Sequence, residues 1–117
     1  HENSLAAAVI PAVILVLTTL PDRDTALQLA DALVRGRLAA CVSIGAPVQS
    51  IYHWRGKVET AKEVPVTIKT RRDSYAAVEK AIRQAHSYEL PEIVVVPIID
   101  GFAPYLDWIA AETALPT

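Results

Sequence analysis

The chain alternates between two hydrophobic rhythms. From Ala12 to Thr19 it reads AVILVLTT, a continuous β-branched and leucine run of the kind that forms a strand buried on both faces. A Pro21–Asp22 turn follows. Asp22 is a good N-cap, and Asp24 places negative charge in a first helical turn. Ala26, Leu29, Ala30 and Leu33 then recur at helical spacing, with Gly36 as the C′ stop, so the first helix is predicted over 23–35.

LAACVSI (38–44) starts a second strand. Gly45 and Pro47 interrupt it, which predicts a kink or bulge, and VQSIYHW resumes it as far as Trp54. Arg55–Gly56–Lys57 is a tight turn, and residues 58–72 return as a third strand, giving one long hairpin. Asp73 is placed to cap a second helix with the apolar stripe Tyr75, Val78, Ile82, Ala85, ending near His86. EIVVVPII (92–99) is a fourth strand. After an Asp100–Gly101 turn, Pro104 suits the first turn of a short last helix with Tyr105, Trp108 and Ile109 on one face.

The order β-α-β-β-α-β-α places the chain in the α+β class. Its first six elements match a ferredoxin-like βαββαβ sandwich, and the C-terminal helix is extra. Two main helices cover one face of a four-stranded sheet. Strands one and four are apolar on both faces, so a second apolar face needs a cover. That pattern predicts a homo-oligomer, with the long hairpin as a swapping arm.

The remaining composition narrows the class. At 117 residues the chain has room for one core, which is assigned to 12–113 between a flexible leader (1–11) and a short tail (114–117). A net charge of −2 with scattered Lys and Arg gives no basic stripe, so nucleic acid is not an expected partner. The apolar N-terminal stretch has no preceding Lys or Arg and is broken by Pro11, which argues against a signal peptide and a membrane span. A single cysteine, Cys41, rules out an intrachain disulfide and favours a reducing, cytoplasmic home.

Two places carry candidate chemistry. Tyr52 and Trp54 share one face of their strand, and Glu63 and Lys69 share one face of the next. Paired through the Arg55–Lys57 turn, they read either as a small-molecule pocket or as cross-strand packing with a salt bridge. His86 closes the second helix with Glu89 and Glu92 close behind. Imidazole with carboxylates suits a borderline metal or acid–base work, and it equally suits a helix cap with solvated glutamates. Cys41 in an apolar strand reads as a small buried hydrophobe. No glycine-rich phosphate loop, nucleophile elbow or CxxC occurs, and no enzyme is expected.

Taken in order, LAACVSI, YHWRGKVETAKEVPVTIKT, HSYELPEIVVVPI and YLDWI resemble the CutA family of divalent-ion tolerance proteins. The resemblance spans residues 12 to 112. It implies a ferredoxin-like fold assembled as a stable homotrimer, similar in architecture to the PII signalling proteins. It also implies a link to tolerance of copper or other divalent metals, and a cleft between subunits. The matching polar positions include Cys41, Tyr52, Trp54, Glu63, Lys69, Tyr88, Glu89 and Glu92 as cleft residues, with His86 as the metal ligand. Copper ligands proposed for some members fall at Thr18, Ala85 and His86. Of these only His86 offers a ligand, since Thr18 stands for a cysteine and Ala85 for a histidine. Two functions follow as expectations. One is a weak copper or other divalent-cation site at the intersubunit cleft. The other is a PII-like small-molecule sensor using the same cleft.

Overall fold

The computed structural model describes residues 12–114. The expected leader (1–11) and the end of the tail (115–117) lie outside the described residues. The elements are β1 (Val13–Leu20), α1 (Arg23–Arg35), β2 (Cys41–Ile44), β3 (Val48–Trp54), β4 (Lys57–Arg71), α2 (Tyr75–Ala85), β5 (Ile93–Pro97) and α3 (Ala103–Glu112). Together they form an α+β fold with one antiparallel sheet and three helices.

The strands run in the order β2-β4-β1-β5, and β3 pairs with the first half of β4. Every pairing is antiparallel. β4 therefore holds two partners in succession. Its second half pairs with β2 (Cys41↔Lys69) and its first half with β3 (Val48↔Glu63). The kink expected at Gly45–Pro47 is where one partner strand hands over to the other. There the Gly45 N–H donates to the Pro65 carbonyl at 2.9 Å, and a Cβ on Gly45 would lie 2.9 Å from the Pro65 ring. The hairpin closes through Arg55 and Gly56, both at positive φ (51° and 81°), the type I′ geometry that matches strand twist. The arm lengthens the molecule. The radius of gyration is 16.3 Å, against roughly 13 Å for a compact chain of this size.

Alternation along β1 divides the interior. Ile14, Val16 and Leu20 face α1 and α2, where they pack with Val64, Val66 and Ile68 of β4, Leu29 and Leu33 of α1, and Val78 and Ile82 of α2. Val13 faces the other way, onto Leu106 and Ile109 of α3. The third helix thus covers one end of the second face. Leu15 and Leu17 of β1 lie beyond it, paired with Val96 and Val94 of β5 (41% and 45% exposed). An apolar stretch of sheet is left open, as the two-sided apolarity of these strands predicted.

Four expectations shift. Gly36 is the C-cap of α1 at φ −82°, and the left-handed C′ position falls one residue later, on Arg37 (φ 58°). The Arg37 N–H bonds Val34 and the Leu38 N–H bonds Leu33, which is a Schellman closure. Gly36 still suits the site, because a Cβ there would sit tightly, 3.1 Å from the Ala32 carbonyl. Asp73 does not cap α2. It lies inside a single 3-10 turn (Arg72–Ser74), Ser74 takes the cap position, and the Asp73 carboxylate reaches toward Arg71 instead. β5 is shorter than expected, ending at Pro97, and leaves Ile99 84% exposed. On α3 the buried residues are Leu106 and Ile109, while Tyr105 and Trp108 stack on each other at 5.5 Å on the half-exposed side.

Candidate functional site

His86 ends α2 in extended backbone (φ −90°, ψ 142°), and its ring turns back to the end of β1. Its Nε2 lies 2.6 Å from the main-chain carbonyl oxygen of Thr19. A carbonyl only accepts, so Nε2 carries the proton and donates. On the other side of the ring, Nδ1 accepts the N–H of Tyr88 at 3.2 Å. The imidazole is therefore the neutral Nε2–H tautomer with both nitrogens engaged. Its ring centroid is 4.5 Å from that of Tyr88. The Thr18 hydroxyl also approaches the Thr19 carbonyl, at 3.5 Å.

Thr19 links this end of α2 to the hairpin. Its hydroxyl donates to Oε2 of Glu63, which β4 presents at the Val48 register. Both side chains are buried, at 8% exposure each. A run of bonded groups, Tyr88 to His86 to Thr19 to Glu63, thus joins the segment after α2 to β1 and β4.

Three members of that run, Thr19, Glu63 and Tyr88, line a cleft of about 870 Å³, and His86 lies behind them. Tyr52, Trp54 and Glu63 contribute from the hairpin, and Tyr88, Glu89 and Glu92 from the segment between α2 and β5. The shared face of Tyr52, Trp54 and Glu63 follows from the register, in which Tyr52 lies opposite Glu59 and Trp54 opposite Lys57. Arg55, at the hairpin turn, pairs with Glu89 at 2.8 Å and lies over the Trp54 ring at 5.2 Å. Desolvation at the cleft raises the Tyr88 phenol above its usual range, and the nearby Glu63 carboxylate adds to the shift.

Six of the eight expected cleft residues are thereby brought together. Cys41 and Lys69 are not. Lys69 lies six residues from Glu63 along the same strand, about 20 Å at ~3.3 Å per residue. It donates to the Tyr105 hydroxyl at 3.1 Å, under α3, and pairs across the ladder with Cys41. The hydrogen bond to Tyr105 raises the Lys69 pKa, with burial opposing. Alternation correctly placed Glu63 and Lys69 on one face, but one face of a long strand serves two places. Thr19 and Arg55 were missed. Thr19 had a signal, a polar pair (Thr18–Thr19) ending an apolar strand. Arg55 had only its position at the turn.

Within one chain, the described residues around His86 do not assemble a set of metal ligands. No group of three or more His, Cys, Asp or Glu among the described residues is arranged to hold a metal ion. Both His86 nitrogens already have protein partners, Thr18 is 2% exposed within the core, and Ala85 has no donor atom.

Residues 14–112 match the profile of the family described as CutA1 divalent ion tolerance protein. The chain belongs to the CutA1 family. It is 40% identical over 98 residues to the divalent-cation tolerance protein CutA of Thermus thermophilus, covering 84% of this chain and 95% of that protein. It is 36% identical over 100 residues to the chloroplastic protein CutA of Arabidopsis thaliana, covering 86% of this chain and 55% of that longer protein. Among solved structures it is similar to CutA1 from the psychrotrophic bacterium Shewanella sp. SIB1, with a TM-score of 0.85, 45% identity, and coverage of 90% of this chain and 98% of that one. CutA1 from Oryza sativa gives a TM-score of 0.85 at 34% identity, covering 90% and 96%. The CutA1 family name carries divalent-cation tolerance and no enzymatic activity.

Proposed function

We propose that the protein serves divalent-cation tolerance as a homotrimer, and that each cleft takes a small molecule in the manner of a PII-like sensing module. The observation that carries this reading is the bonding of His86. Its ring holds Tyr88 over a roomy, aromatic-walled cleft and spends both nitrogens doing so. Small-molecule sites combine concave shape, apolar walls and a few fixed polar groups, and this cleft has all three. A copper or other divalent ion held directly at His86 is the weaker reading, because binding would break one of the two bonds that shape the cleft.

The trimer is the assembly the family resemblance implies. The open stretch of Leu15, Leu17, Val94 and Val96 supports it, as does the projecting hairpin. The strand order, antiparallel throughout, supports a ferredoxin-like reading of the fold. A cytoplasmic home is proposed on the single, unpaired cysteine. We assign the cleft a binding role, with no catalytic residue.

Two titrations test the reading. Copper and zinc calorimetry on wild type and His86→Ala is expected to show no site near one metal per subunit that the variant loses. A saturable site lost in His86→Ala would replace the small-molecule reading with a metal-binding one. The Trp54 indole N–H signal, followed through a panel of anionic, neutral and cationic metabolites, is expected to shift saturably with at least one class and to lose that response in Tyr52→Ala. A signal unmoved by every class would refute a ligand cleft.

A further inference from the structure

The charges lining the cleft are lopsided. Glu63, Glu89 and Glu92 face one cation, Arg55, and that cation is committed to Glu89 and to the Trp54 ring. Within one chain, Lys69, the other cation expected at the cleft, is under α3 instead. Glu63 is the one charged residue among the buried side chains described. Its Oε2 takes the Thr19 hydroxyl, and no Lys, Arg or His among the described residues pairs with it.

A carboxylate withdrawn from water with one neutral hydroxyl for a partner is left electrostatically short. It favours whatever positive group reaches it, and it repels a phosphate or carboxylate. Around it stand Tyr52, Trp54 and Tyr88, aromatic rings that attract cations through their quadrupoles. Leu90 and Pro91 add apolar lining. A bare metal ion gains little from such walls, because hard cations need several oxygen ligands at close range. An organic cation uses both features, its charge on Glu63 and its carbon skeleton on the rings.

Resting on the small-molecule reading of the cleft, we infer that the ligand is an organic ammonium compound with an apolar body, a primary or quaternary amine whose positive head pairs with Glu63 and whose carbon part lies among Tyr52, Trp54 and Tyr88.

The test uses three compounds of one shape and different charge: phenethylammonium, 3-phenylpropanoate and 2-phenylethanol. Each is titrated into the full chain in its native assembly, with the Trp54 indole N–H as the reporter. The ammonium compound is expected to saturate and to bind at least about tenfold tighter than the other two, the size of one desolvated charge contact. Glu63→Gln is expected to erase that preference, bringing the ammonium to the level of the alcohol. Should Glu63→Gln fail to assemble, Trp54→Leu, followed by calorimetry, is expected to weaken the ammonium about tenfold while the carboxylate stays weak. If the carboxylate or the alcohol binds the cleft as tightly as the ammonium, the inference fails and the small-molecule reading stands. If none of the three moves the signal, the inference also fails, and the metabolite panel decides the small-molecule reading separately. A preference that persists in Glu63→Gln overturns the role given to Glu63.

Discussion

The ring of His86 donates from Nε2 to the main-chain carbonyl of Thr19, 67 positions earlier in the chain, at 2.6 Å. This bond ties the end of α2 to the end of β1. It also fixes the tautomer that lets Nδ1 receive the Tyr88 N–H. The imidazole works here as a strut, and the segment that it positions forms one wall of the cleft.

If His86 is a strut, removing it should cost stability as well as cleft shape. His86→Ala deletes two hydrogen bonds and leaves the partly buried Thr19 carbonyl without its partner, a loss of about 1–3 kcal/mol. Denaturant unfolding at matched protein concentration checks this, since an assembled protein's stability depends on concentration. A change within about 0.5 kcal/mol, the usual range for a surface substitution, would contradict the strut.

The sequence revealed the frame better than the joints. α1 was legible to the residue because Asp22, an apolar stripe and a C-terminal glycine all agree, and the Asp22 carboxylate does accept the Thr25 N–H at 2.7 Å. The arm was legible from two strand patterns around a short turn. Contacts between distant segments were not. Nothing in HSYELPEI says that the His86 ring meets Thr19, and the same motif reads equally as ligand or cap. Lys69 and Glu63 share a face by alternation, yet only the docking of α3 shows that Lys69 belongs to Tyr105. Arg37 in the left-handed position was hidden by the glycine before it, which lies close to the Ala32 carbonyl and has no positive φ.

Alkaline pH should unfold the protein sooner than its neutral-pH stability implies. The pKa of Lys69 is raised from 10.5 by its hydrogen bond to Tyr105. Tyr75 is raised from 10.0 by its bond to Glu79, and Tyr88 from 10.0 by burial. For all three the folded state holds the proton more tightly than the unfolded chain does. Their stabilisation is fully present below the unfolded values and is lost as pH rises through the raised folded values. Unfolding free energy is therefore expected to fall above about pH 10. The fall should be shallower in Tyr88→Phe. Lys69 is half-buried and Tyr88 is 38% exposed, so solvent screening keeps each share small. A flat stability profile from pH 9 to 11 would contradict these shifts.

Assembly makes a separate prediction. Val94 is 45% exposed on β5, opposite Leu17, at the open stretch of the sheet. In a free monomer, Val94→Asp at such a site costs under about 0.5 kcal/mol. Buried between subunits, the same carboxylate has no partner and disrupts the assembly. Sedimentation velocity is expected to show a trimer for wild type at micromolar concentration and a smaller species for Val94→Asp. A wild-type monomer, or a variant that sediments unchanged, would remove this face from the interface.

The most direct test of the central claim is the nitrogen NMR spectrum of the His86 ring, recorded with and without one equivalent of zinc per subunit at pH 7.5. At that pH an ordinary imidazole, with a pKa near ~6.5, is already neutral. The strut predicts a neutral Nε2–H tautomer, an Nδ1 shift typical of a hydrogen-bond acceptor, and no change on adding zinc. A zinc-induced shift at either ring nitrogen, or an Nδ1–H tautomer, would contradict the account and make His86 a metal ligand.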